Sequence, residues 1–177
     1  MSNYYYEEKQ SYLTVMTEVC EQSHDLTAFF RFGLVGVASQ CQRLLGSVKK
    51  NIQKAVFRNT MYDLFGKLLS PKKRVVGKRQ VEVLKLFLER DSMTWEQVRR
   101  AAMSLYHGLK GPQRALDRDL WMLLVLQALT LNEVDYPQVL QLNLEWPEEI
   151  DETVFLQRIR ELPKAKSYHF LQPSPAR

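Results

Sequence analysis

The stretch Lys78–Leu131, KRQVEVLKLFLERDSMTWEQVRRAAMSLYHGLKGPQRALDRDLWMLLVLQALTL, decides the fold. Its first apolar period runs through Val81, Leu84 and Leu88, with Val83 and Phe87 beside them, which is the spacing of a helix face. Asp91-Ser92 ends that helix. Thr94-x-x-Gln97 has the spacing of a capping box and opens a second helix, whose inner face is Val98, Ala101, Ala102 and Leu105. The alanines permit the close crossing of a helix-turn-helix unit. Gly108 can end this helix with a left-handed residue. Pro112 suits the first turn of a third helix, with Ala115, Leu116, Leu120, Leu123 and Leu124 on its apolar side. Beyond Leu131 the period shortens to two. Leu142, Leu144 and Trp146 form one strand, and Leu129, Leu131 and Val134 its partner, with a turn near Asp135-Tyr136-Pro137. Pro147 ends this hairpin. Three helices followed by a hairpin make the layout of a winged helix. A last helix is expected over Thr153–Leu162, introduced by Asp151-Glu152, and the tail from Pro163 reads as loose.

Upstream, Asn3–Gln22 reads as one helix buried over a wide arc, through Tyr6, Leu13, Met16 and Cys20 with Tyr5, Tyr12 and Val19 alongside. Ser23-His24 breaks it, and Asp25 or Thr27 can cap the next helix. That next pattern runs from Ala28 to about Leu69, either as one helix about 60 Å long or as two broken between Arg58 and Gly66. Leu34, Val37, Cys41, Leu44 and Val48 keep a coiled-coil spacing within it. Gly33 and Gly36 permit another helix to approach. Phe29, Phe30 and Phe32 point in different directions, so some of this apolar surface is expected to meet another domain or a second copy. Ser70-Pro71 ends the segment, and Lys72–Arg79, with Gly77, reads as a basic linker. The fold class is therefore mainly α: a helical hairpin or long-helix support, then a winged helix-turn-helix domain with a small β-hairpin. The domains read as 1–71, 72–147 and 148–177.

Hydrophobic residues make up 45% of the 177, with seven Gly and seven Pro, which is a globular composition with no bias toward disorder. Cys20 and Cys41 are expected as small buried hydrophobes without a disulfide. No apolar run reaches the roughly 18 residues a membrane span needs. The first residues lack a basic start and an apolar signal region, which implies a cytoplasmic location. The net charge of +5 is unevenly spread: Lys49–Arg79 holds ten basic residues against a single acid, Asp63. Such a stripe attracts phosphate backbones, though a solvated face accounts for it equally well.

The segment NYYYEEKQSYLTVMTEVCEQSHDLTAFFRFGLVGVASQCQRLL, residues 3–45, resembles the region that follows the catalytic core in Fic-family proteins. The matching positions are Tyr5-Tyr6, Asp25-Leu26-Thr27 and Phe29-Phe30. Ala115-Leu116-Asp117-Arg118-Asp119-Leu120 is similar to a pattern in the third helix of the winged helix that many of those proteins carry. The family transfers a nucleotide monophosphate to protein hydroxyls with the signature His-Pro-Phe-x-(Asp or Glu)-Gly-Asn-Gly-(Lys or Arg). This chain's histidines are His24, His107 and His169, none preceding Pro-Phe, and it has no Gly-x-Gly loop. The resemblance thus implies a non-catalytic C-terminal module of a Fic-like protein, with no cofactor and no enzyme activity of its own. Its partner is expected to be another protein or the missing catalytic domain, and a homodimer is possible.

The alternative is a DNA-binding regulator. A winged helix reads the major groove with its third helix, where the donors are Lys110, Gln113, Arg114 and Arg118. Arg99 and Arg100 on the second helix, and Lys72, Lys73 and Arg74 in the basic run, could reach phosphates. Against this, Asp117 and Asp119 share the third helix, Arg118 can pair locally, and residues 132–153 hold seven acids and no base. For the protein or dimer interface the residues are Phe29, Phe30, Leu34, Val37, Cys41 and Leu44. No metal site is expected: Cys20 and His24 lie four apart, but at a helix break and short of the ligands zinc requires. Glu148, Glu149, Asp151 and Glu152 read as a solvated face rather than acid–base groups, and His107 as a helix-end cation.

Overall fold

The computed structural model describes residues 2–68, 71–132 and 137–161; the side chains of residues 2, 3 and 71–74 lie outside that description. The chain divides into two compact units, Met1–Ile52 and Gln53–Arg177. The division falls inside a helix, whereas the sequence reading placed its first boundary at residue 71.

In the first unit, α1 (Ser2–Glu7) and α2 (Lys9–Glu21) replace the single helix expected over Asn3–Gln22. The interruption is Glu8, whose φ of −102° and ψ of 35° leave the helical region. Backbone hydrogen bonds from Glu8 N to Tyr4 O and from Tyr12 N to Glu8 O, both 2.9 Å, keep the two pieces stacked. Ser23 and His24 then take positive φ angles of 55° and 66°, which reverses the chain. The Asp25 carboxylate accepts from the Thr27 N–H at 2.9 Å and the Thr27 hydroxyl at 2.6 Å, capping the next helix. That helix, α3 (Thr27–Gly66), is continuous over 40 residues, which resolves the choice between one helix and two. Gly46, although glycine is a poor helix former, does not interrupt it.

Aromatic rings join these elements. The Phe32 ring lies 5.2 Å from Tyr4, 5.7 Å from Tyr5 and 6.2 Å from Tyr12, and Phe29 lies 6.5 Å from Tyr12. Gly36 is what lets Tyr4 in: a Cβ there would stand 2.4 Å from the ring. A Cβ at Gly33 would make only an ordinary contact with Tyr5, so the close approach rests on one of the two glycines. Cys20 and Cys41 are exposed, not the buried hydrophobes expected of them.

In the second unit, the end of α3 is followed by α4 (Pro71–Arg90), β1 (Ser92–Thr94), α5 (Trp95–Ala102), a 3₁₀ turn (Met103–Tyr106), α6 (Pro112–Val125), β2 (Leu129–Asn132), β3 (Val139–Leu142), α7 (Trp146–Glu149) and α8 (Glu152–Glu161). The basic run Lys72–Arg79 is not a linker but the opening turns of α4. Proline is tolerated in a first turn because its missing N–H has no helical partner there. Gly77 is a packing residue: a Cβ would sit 2.9 Å from Leu68 and 3.3 Å from Phe65.

The capping box forms as expected, with the Thr94 and Gln97 side chains each bonded to the other's backbone N–H. α5 is shorter than its pattern, and the chain tightens into the 3₁₀ turn before Gly108 takes its positive φ of 88°. The sheet has three antiparallel strands in the order β1-β3-β2, with Met93 and Leu131 both opposite Leu140. The sequence reading missed β1, because three residues are too few to display alternation. Asp91, at a φ of 63°, turns the chain out of α4 into it.

The second expected strand is also corrected. β3 stops at Leu142, and Trp146 opens α7 with Pro147 in its first turn. Leu142, Leu144 and Trp146 therefore alternate in sequence without sharing a strand. Trp146 is instead drawn into the core, where its indole N–H donates to Leu126 O at 2.8 Å and its ring lies 5.1 Å from Phe57. The expected turn at Asp135-Tyr136, with Val134, lies outside the described residues, as do Leu162, His169 and the tail. Asp151 caps α8 by accepting the Val154 N–H at 2.7 Å. The core joins Phe57, Met61 and Leu64 of α3, Leu84 and Phe87 of α4, Leu116, Leu120 and Leu123 of α6, Leu140, Trp146 and Phe155.

Replacing Trp146 by Ala removes both the ring and the indole N–H that donates to Leu126 O, and is expected to cost about 3–5 kcal/mol. Chemical denaturation of the two proteins measures it.

Candidate interaction site

α6 carries the residues on which the nucleic-acid reading depends. Leu116, Leu120 and Leu123 turn one side of it into the core, which leaves Gln113 and Arg114 exposed and Asp117 and Arg118 partly covered. Asp119 goes inward with the leucines, its side chain 0% exposed. A buried ion needs partners, and here they come from three elements. Tyr106 Oη on the 3₁₀ turn donates to Asp119 Oδ2 at 3.0 Å, and Arg79 Nε on α4 donates to the same oxygen at 3.3 Å. Arg118 Nε and Nη2 donate to Oδ1 at 3.3 and 3.1 Å. The Arg79 guanidinium also stands 5.3 Å over the Tyr106 ring. Burial, reinforced by the negative charge of Asp119, pushes the Tyr106 hydroxyl pKa well above the tyrosine range. Tyr106 is therefore fixed as a donor.

This geometry revises two sequence expectations. Asp119 was weighed with Asp117 as an acid of the third helix that counts against DNA binding, yet it faces the core. The leucine spacing around it contains the clue, since position 119 lies within the arc of 116, 120 and 123. Arg118 takes the local pairing weighed for it and spends its guanidinium on Asp119. Arg79, placed in a linker by the sequence reading, is a structural partner of α6. No local signal marks it, because the contact spans 40 positions.

A second pair ties α5 to α6. Arg99 Nη2 lies 3.4 Å from Asp117 Oδ1, and the same guanidinium stands 5.9 Å from the Trp95 ring centroid. Burial raises the Asp117 pKa above the usual carboxylate value, outweighing the opposite pull of Arg99. Arg100 stays exposed, 3.6 Å from Glu96.

Part of the basic stripe is engaged in the same way. Lys54 pairs with Asp91 and donates to Leu88 O at 2.8 Å; Lys67 bridges Asp63 at 3.0 Å and Glu152 at 2.9 Å. Lys72, Lys73 and Arg74 belong to the first turns of α4, and their side chains lie outside the described residues. Of the expected base readers, Lys110, Gln113 and Arg114 remain on the surface, where neither Lys110 nor Arg114 forms an ion pair among the described residues. Leu105, Leu109 and Val125, each somewhat over a third exposed, lie on the 3₁₀ turn, the α5–α6 connection and the end of α6. The acids Glu145, Glu148, Glu149, Asp151 and Glu152 are exposed.

The residues expected at a protein interface lie in the first unit. Phe30, Leu34, Val37, Cys41 and Leu44 of α3 are exposed, while Phe29 is half-covered by Tyr12 and Phe30. Leu45, Val48 and Ile52 extend this apolar surface. Among the described residues no group of three or more His, Cys, Asp or Glu side chains could hold a metal, and no helix is long and apolar enough to cross a membrane.

No protein-family model, no curated protein and no solved structure matches this chain.

Two outcomes are expected. Asp119→Ala strips a shared acceptor from two arginines and a tyrosine, and should lower stability by about 3–5 kcal/mol in a denaturation experiment. Asp117 binds its proton more tightly folded than unfolded, so it favours folding at acidic pH and loses that contribution as pH rises through its raised pKa. Asp117→Asn should therefore stabilise the chain near neutral pH, and the gain should vanish in urea melts run below the carboxylate range.

Proposed function

We propose that α4 to β3 form a winged helix, and that the chain is a non-catalytic accessory module of a Fic-like protein that engages a protein surface. Supporting the winged helix is the order helix, strand, helix, helix, strand, strand, with the short first strand on the far side of β3 from β2. The observation that carries the protein-binding reading is the state of the arginines on and beside α6. Arg118 and Arg99 are committed to Asp119 and Asp117, and Leu105, Leu109 and Val125 are exposed apolar side chains on the 3₁₀ turn, the α5–α6 connection and the end of α6. A phosphate-binding face needs uncommitted cations. A protein-binding face tolerates a mixture of apolar residues, arginine and polar side chains. The Fic-like assignment rests on the Tyr5-Tyr6, Asp25-Leu26-Thr27 and third-helix motifs. The absence of the His-Pro-Phe signature from the sequence supports a module without nucleotide transfer.

DNA recognition is the second reading, favoured by exposed Lys110, Gln113 and Arg114 at the start of α6, the part of a recognition helix that meets base edges. A mobility-shift assay separates the two. The protein-binding reading expects no retarded duplex even at low salt. A complex that weakens steeply with salt and is lost in Arg114→Glu would establish the DNA reading instead. Labelled ATP incubated with the chain and cell extract is expected to leave no label on protein.

A further inference from the structure

We propose that the middle of α3, residues 44–52, is a hinge: a stretch of helix that opens locally while the residues on either side stay folded. A helix in a protein is held chiefly by tertiary packing of one of its faces, and a short helix standing alone in water is marginal. α3 is packed before and after this stretch but not within it. Before it, Phe32 meets the rings of Tyr4 and Tyr5, and Gly36 lies against Tyr4. After it, Phe57, Met61 and Leu64 are buried, and Lys54 donates to Leu88 O at 2.8 Å. Between Gly36 and Phe57 no residue is buried, and every one of residues 41–52 is exposed. Leu44 and Leu45, on neighbouring sides of the helix, are 69% and 68% exposed.

The local sequence weakens the helix where packing is missing. Gly46 lies in this stretch, and glycine lowers helix population about fivefold relative to alanine. Nothing lies within 4 Å of where a Cβ on Gly46 would stand, so no close approach calls for glycine there, in contrast to Gly36 and Gly77. Ser47 follows, with a hydroxyl that competes for nearby backbone groups, and Gly/Ser pairs are recurrent sites of helix bending. Residues 26–62 contain no Asp or Glu. No acid–base pair four apart can therefore brace the helix from within, and Lys50, Lys54 and Arg58 instead repeat like charges at that spacing. The two compact units, Met1–Ile52 and Gln53–Arg177, divide at the end of the stretch. Since none of residues 44–52 is buried, opening there leaves the internal packing of each unit intact. Elements that move are drawn from such low-stability, poorly contacted segments.

Hydrogen–deuterium exchange of the full chain, read by mass spectrometry, tests this. Amides of residues 47–52 are expected to exchange roughly tenfold or more faster than those of residues 60–65 in the same helix. Trypsin should cut after Lys49 before it cuts after Arg58. Both are exposed basic residues, but the backbone at Arg58 is anchored by buried Phe57 and Met61. Gly46→Ala, its fold checked by far-UV circular dichroism, should slow exchange and cleavage in the stretch about fivefold and leave residues 60–65 unchanged. Equal protection along α3 overturns the proposal, as does cleavage after Lys49 that Gly46→Ala leaves at its original rate. Protection of residues 47–52 that rises with protein concentration overturns it too, because a second copy would then cover the stretch.

Discussion

The buried carboxylate of Asp119 sets the terms for the second unit. An ionised group without solvent must be met by donors from its surroundings, and the cost of leaving it unmet far exceeds the gain from any one hydrogen bond. Arg79, Tyr106 and Arg118 meet it from α4, the 3₁₀ turn and α6. Apolar contacts alone allow sliding among leucines of similar size, whereas a shared charged acceptor admits one arrangement of the three. The same requirement determines what α6 can offer outside. Each arginine used internally is withdrawn from a phosphate backbone, so the demand of the core and the character of the surface are one constraint.

The cations of the basic stripe follow a related logic. Lys54 ties α3 to the turn after α4, and Lys67 ties the end of α3 to α8. Exposed pairs of this kind contribute little stability each. Their larger consequence is electrostatic, because a neutralised lysine no longer adds to a long-range positive field. The net charge of +5 already counts these acids, so the pairing changes where the positive field lies and not its sum.

The first unit is built on rings rather than charges. Tyr4, Tyr5, Tyr12 and Phe32 meet edge-on or tilted, the arrangements that bring a ring's positive edge to a neighbour's negative face. Gly36 admits them by lacking a side chain. With Phe32 gathered against the tyrosines on one side, Phe30 and aliphatic residues such as Leu34 and Leu44 are left exposed on α3.

Periodicity in the sequence was enough to place most of the longer helices, the Thr94–Gln97 capping box, the cap at Asp25 and a strand through Leu129 and Leu131, because each depends on residues within a few positions of one another. The union of α3 into one helix, the strand at Ser92–Thr94 and the helical start at Pro71 needed the fold. β1 exists because Leu140 lies opposite Met93, not because of any pattern of its own. Trp146 shows the limit most clearly: its alternation with Leu142 and Leu144 is real in the sequence, but the pocket beside Phe57 and the acceptor at Leu126 O decide where the ring goes. The candidate site divides the same way. Sequence established that α6 carries Gln113, Arg114 and Arg118 beside two aspartates, with Lys110 just before it. Tertiary structure decided which of those charges are already paired, because desolvation and partners distant in the chain, not neighbouring residues, determine whether a buried charge is satisfied.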